Sequence, residues 1–144
     1  MATTYYDGTL SSNGDGSSTS PYNSASATIN ALTLGNDVYI LAGTLTLTAA
    51  EAAGQTISGP GNVSVTGLDQ TLTADLSRIT VTGSRSSQFD SSGTFTGNLG
   101  SFVVTVASGQ TLTASVSILT GATFSGSGSV AVSDSSVSAS VLNS

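Results

Sequence analysis

The chain contains no cysteine, lysine, histidine or tryptophan and only two prolines. Each absence closes off a chemistry. Without Cys or His there is no ordinary zinc, haem or iron–sulfur site. A His general base and a Cys nucleophile are likewise excluded. Disulfides contribute nothing to stability, which leaves the redox compartment open. The only cations on side chains are Arg78 and Arg85, against eight carboxylates and a formal net charge of -6. Two arginines cannot build the basic face that displaces counterions from a phosphate backbone, so nucleic acid is not an expected partner. No run of apolar residues reaches the length of a membrane-spanning helix, so a membrane is not expected either.

What is present is a Ser-, Thr- and Gly-rich chain that is nevertheless 38% hydrophobic over 144 residues. That suits one domain with a real core rather than a disordered polar tract. From residue 38 onward the apolar residues alternate with Ser, Thr or Gly in short runs, as in VYILAG, TLTLT, NVSVTG, SFVVTVA and SVAVS. Alternation of period two gives a strand one buried and one solvated face. QTISG, QTLTA (70–74), SRITVTG (77–83), SILTG and SVSASVL read the same way, and no helix is expected after residue 37. The segments beginning at Gly54, Asp69 and Gly109 repeat a Gln-Thr-(Ile/Leu) strand, a turn and a second strand. Repeats of short strand units point to a solenoid of roughly 22-residue turns, about five in number, each burying its apolar edge on the next. The alternative is a β-sandwich with strands at similar spacing.

The first 22 residues are rich in turn dipeptides, among them Asn13-Gly14 and Asp15-Gly16, and Tyr5 and Tyr6 are expected to anchor the start,. One helix is expected after them, with Ser24 as N-cap, an apolar stripe of Ala25, Ile29 and Leu32, and Gly35 as terminator. The opening residues lack the basic start and apolar run of a secretion signal. With Met1 as the start, release into the cytoplasm of the producing cell is expected. A chain whose signal had been removed would read the same.

The order of these features carries a resemblance. Asp7-Gly8, the turn-rich loop ending in Pro21-Tyr22, the helix, and the Gly35-to-Gly43 stretch GNDVYILAG are together similar to the entry of right-handed parallel β-helix proteins of the pectate-lyase-like superfamily. The resemblance spans residues 5–48 and implies a fold, not an activity. It implies an all-β chain: a short right-handed parallel β-helix with an N-terminal capping helix. Residues 1–37 would form the entry strand, loop and cap, and residues 38–144 the solenoid coils. It also implies that the helix covers the open end of the solenoid. SVSASVLNS at the other end offers no equivalent cap, so a partner is expected there, with copies of the same chain foremost.

Many members of that superfamily cleave polysaccharides, which would call for paired carboxylates or a carboxylate beside an arginine. Asp75 and Arg78 could pair in catalysis or merely as surface ions at a corner, and the second reading is preferred. Asp7 with the Asn13–Gly16 loop lacks the alternating acidic ligands and closing Glu of a calcium loop and reads as a turn. Asn62-Val63-Ser64 fits a glycosylation sequon. Phe95, Phe102 and Phe124 are read as core. Phe89 is the exception: SRSSQFDSSG looks like a loop leaving the solenoid, and Arg85, Phe89 and Asp90 are expected to contact a partner, as are Val141 and Leu142. No catalytic, cofactor or metal residue is expected.

These features describe a durable part rather than a catalyst. The whole chain resembles a small capsid decoration (cement) protein of a bacteriophage, which implies a non-enzymatic role on the virion surface. The expected partners are the major capsid protein or another virion protein, with self-association as a homotrimer. A secreted or surface-exposed adhesin or filament solenoid is the alternative. A tail-fibre or tailspike piece acting on polysaccharide is the second.

Overall fold

A computed structural model describes residues 1–134. The chain runs through β1 (Thr3–Asp7), α1 (Ala25–Thr33), β2 (Asp37–Ala42), β3 (Thr44–Thr48), α2 (Ala49–Ala52), β4 (Ile57–Ser58) and β5 (Asn62–Thr66). It continues through β6 (Arg85–Phe89), β7 (Gly93–Phe95), β8 (Val103–Val106), β9 (Thr111–Ala114), α3 (Val116–Leu119), β10 (Thr123–Gly126) and β11 (Ser129–Val132). Three sheets result, ordered β1-β2-β4, β10-β8-β6-β5-β3 and β11-β9-β7. Every pairing among the named strands is parallel. Parallel neighbours cannot be joined by a tight hairpin and need a long crossover. Among the described residues this rules out the antiparallel β-sandwich kept as an alternative.

Register follows from hydrophobic alternation. Leu47 lies beside Val65, Val65 beside Ser87, Ser87 beside Val104 and Val104 beside Phe124. All face inward, and all but the half-buried Phe124 are enclosed. The neighbouring row of Thr46, Ser64, Ser86, Val103 and Thr123 faces out. A one-residue slip would exchange the two rows, so burial pins the register. Parallel sheets are usually covered on both faces; these are covered on one.

The first and last described strands are covered differently. At the N-terminal end α1 places Thr28, Ala31 and Leu32 in the interior. Ser24 caps it by accepting the Ala27 N–H through its side chain. At its other end the Gly35 N–H donates to Leu32 and the Asn36 N–H to Ala31, with Gly35 at φ +85°, which ends the helix in a Schellman turn,. The expected stripe of Ala25, Ile29 and Leu32 misses Thr28, which is fully buried because its hydroxyl donates back to the Ser24 carbonyl at 2.9 Å. Tyr22 bridges to Tyr6 alongside β1, closing that edge. In the last described layer, Phe124, Val130 and Val132 are only half-buried.

Several sequence expectations are corrected. Two short helices follow residue 37. In α2, Thr48 and Glu51 form a reciprocal capping box, which overrides the alternation that precedes it,. SILTG is largely α3 rather than strand. QTLTA (70–74) holds only the last residue of a 3-10 helix (Leu68–Gln70) and then a turn at Leu72 and Thr73, and SRITVTG contributes only the isolated bridge of Ile79 to Ile57. These stretches are therefore largely irregular where their alternation reads as strand.

Candidate functional site

The segment read as a protruding loop is β6, the central strand of the five-stranded sheet. Phe89 is 0% exposed and lies beside Val106, so it belongs to the core and cannot contact a partner. Its polar neighbours misled because Ser86 and Gln88 occupy the outward positions of an ordinary alternating strand. Arg85 starts β6 beside Val63 and is partly exposed; Asp90 is exposed just after the strand. With Phe89 inside, Arg85 and Asp90 no longer form one surface cluster around an aromatic. Val141 and Leu142 lie outside the described residues.

The catalytic candidates separate in the same way. Asp75 accepts the Ser77 N–H at 3.0 Å. The Ser77 hydroxyl and N–H hold the Asp75 carboxyl below its ordinary range, with a smaller part from Arg78. Arg78 reaches instead to the Gly54 carbonyl at 3.5 Å. Asp15 closes a similar turn on Ser17, and its carboxyl is lowered for the same reason. Asp7 accepts from Thr9. These carboxylates stabilise local turns. Among the described residues no three His, Cys, Asp or Glu side chains gather into a cation cage.

Other polar side chains stitch one layer to the next. Asn62 accepts the Ser84 N–H and hydroxyl at 2.8 and 3.1 Å, across 22 residues of sequence. The Gln110 carbonyl does the same for Ser92 at 2.9 and 3.1 Å. Asp69 accepts the Asp90 N–H, and Asp134 the Val116 N–H. The Oδ1 of the sequon residue Asn62 is thus occupied at a corner. A groove of about 300 Å³ beside Asn98, Ile118 and Thr120 has polar groups already spent locally: Asn98 accepts the Gly100 N–H, and Thr120 donates to Val116. Nothing there converges on a reacting atom.

Two outer surfaces remain. The outward rows of the five-stranded sheet carry hydroxyls, amides and Val103 but no charge, and neighbouring hydroxyls meet directly, as at Thr105 and Ser125, 2.8 Å apart. On the first sheet, Tyr5 and Tyr39 stand side by side with ring centroids 5.8 Å apart and planes tilted by 54°. Tyr39 is 37% exposed. The signal that could have found the pair is the phase of TTYYD and DVYILA, which puts Tyr6, Val38 and Ile40 inward and Tyr5 and Tyr39 outward. No protein-family model, no curated protein and no solved structure matches this chain.

Proposed function

We propose that the chain is a non-enzymatic structural protein of a virion, most simply a decoration or cement protein on a bacteriophage capsid, built as a short right-handed parallel β-helix. The observation that carries the fold is the recurrence of parallel pairing in three sheets, with side-chain links spanning 18 to 22 residues of sequence at the corners. Each layer then buries one side of its strands on a shared core, the arrangement of a solenoid. The functional reading is supported by how the polar residues are used: in turns, corner links and uncharged outer rows, and not in convergent sites. Such a part works through broad surface complementarity repeated over many copies.

The chain would sit on the major capsid protein or another virion protein and associate with itself as a trimer. A head-to-tail filament is less favoured, because α1 and the Tyr22 segment occupy the end on which the next copy would stack. The test is copy number. Nuclease-resistant particles from the source organism are sedimented, and this chain is quantified against the most abundant shell protein. Comparable amounts are expected. Recovery of the chain from the cell surface or medium, and not from particles, would overturn the reading in favour of an adhesin.

A further inference from the structure

The outward side of β1 and β2 combines two aromatic rings with two carboxylates. Tyr5 stands opposite Tyr39, and Asp37 stands opposite Thr3 one step along the same face. Asp7, two residues beyond Tyr5, follows a register break after Tyr6, pairs with Ala42 and has Oδ1 bonded to Thr9. Asp37 thus flanks the aromatic pair at one end, with Asp7 lying past the break at the other. A cross-strand aromatic pair stabilises a sheet by itself, but that role asks for no flanking charge and no ring left 37% exposed. The ring faces carry the negative side of the aromatic quadrupole, and the carboxylates add to it.

We propose that this face receives an arginine side chain of a partner protein, the guanidinium lying over Tyr39 and hydrogen-bonding to Asp37 or Asp7. This rests on the virion reading for its biological partner but not for its chemistry. The 54° tilt denies a sugar ring the common flat platform that coplanar aromatics give, whereas a guanidinium needs only one ring. Arginine fits better than lysine because a planar fork can stack and bind a carboxylate together. The partner is a different chain: this one has only two arginines, of which Arg78 is engaged with Gly54 and Arg85 heads a strand of another sheet. On this face the carboxylate of Asp37 opposes an acidic partner and favours a cationic one,.

The test has two arms. In the first, tyrosine ring resonances are followed by NMR while the intact protein is titrated with N-acetyl-arginine amide, or with the neutral isostere N-acetyl-citrulline amide. Saturable shifts at Tyr5 and Tyr39 are expected with arginine only, weakened by salt; the Tyr5 shift is kept in Tyr39→Phe and lost in Tyr39→Ser and Asp37→Asn. Equal shifts with citrulline, or none with arginine, would overturn the proposal. In the second arm, particles freed of this chain are rebound with wild type and variants whose melting is unchanged. Retention about tenfold weaker is expected for Tyr39→Ser, the scale of a cation–π interaction shielded from water. Undiminished retention of the variants, or self-association through this face, would also overturn it. Failure of wild type to bind particles, with arginine recognition intact, would count against the virion reading alone.

Discussion

The chemistry of Ser87 conflicts with its place. It sits at 0% exposure between Val65 and Val104, and its hydroxyl is the single buried side-chain polar atom without a partner among the described residues. Burying an unbonded hydroxyl costs roughly 1–3 kcal/mol. Ser87→Ala is therefore expected to stabilise the protein by about 1 kcal/mol, read as a higher urea midpoint at constant m-value. An unchanged or lower midpoint would mean that the hydroxyl is satisfied in solution. Two positions along, the opposite is expected. Phe89→Ala empties a filled core site and should cost about 3–5 kcal/mol. A loss under about 1 kcal/mol, the scale of a surface change, would return Phe89 to the exterior. Backbone proximity constrains Gly59 as well: a Cβ there would lie 2.3 Å from the Ile40 carbonyl oxygen, and its φ is +108°.

Among the elements, the strands are too short to be stable alone, and their alignment depends on what happens at the corners. Gln110 is the clearest case. Its carbonyl holds Ser92 through two bonds, and the Ser92 hydroxyl in turn accepts the Thr111 N–H at 2.9 Å. That chain of bonds joins the starts of β7 and β9. Gln110→Ala should cost about 1 kcal/mol and raise amide exchange at Ser92 and Thr111 before it affects β3 or β5. Uniform exchange changes across all sheets would show that the corner has no local role. Helix α1 depends less on propensity than on its Ser24 cap, its Schellman turn and the buried Leu32.

For the whole molecule, pH acts through few groups, and the signs are fixed by the shifts. Burial first, and the nearby Asp7 second, raise Tyr6 above its ordinary 10.0. Its hydroxyl donates to the Thr44 carbonyl at 3.1 Å, joining β1 to β3. A raised folded value means that this contribution is intact below pH 10.0 and is lost as pH rises through the folded value,. Asp15 and Asp75 are lowered from 3.8, so theirs is present above pH 3.8 and lost as pH falls through the lower folded values,. Both carboxylates are exposed, so the acid effect should be slight and the alkaline one the steeper. Thermal melts across pH are expected to show a broad plateau, and Tyr6→Phe should flatten the alkaline limb. A mutant limb as steep as the wild type would assign that loss to another group.

The mainly β class, the helix α1 with its caps and the inward phase of TLTLT, NVSVT and VVTV are legible in the residues alone. Those signals are local, since alternation and capping are written within a few residues. The sequence also determined what is absent, because a missing residue type needs no fold to be read. That RSSQF is a central strand, that Ser87 and Phe89 lie inside, and that Tyr5 and Tyr39 meet on the outside emerges with the fold. Each depends on which distant segment lies alongside: β5 and β8 for RSSQF, and β2 for Tyr5. Parallel pairing of that sort leaves no mark on either strand alone.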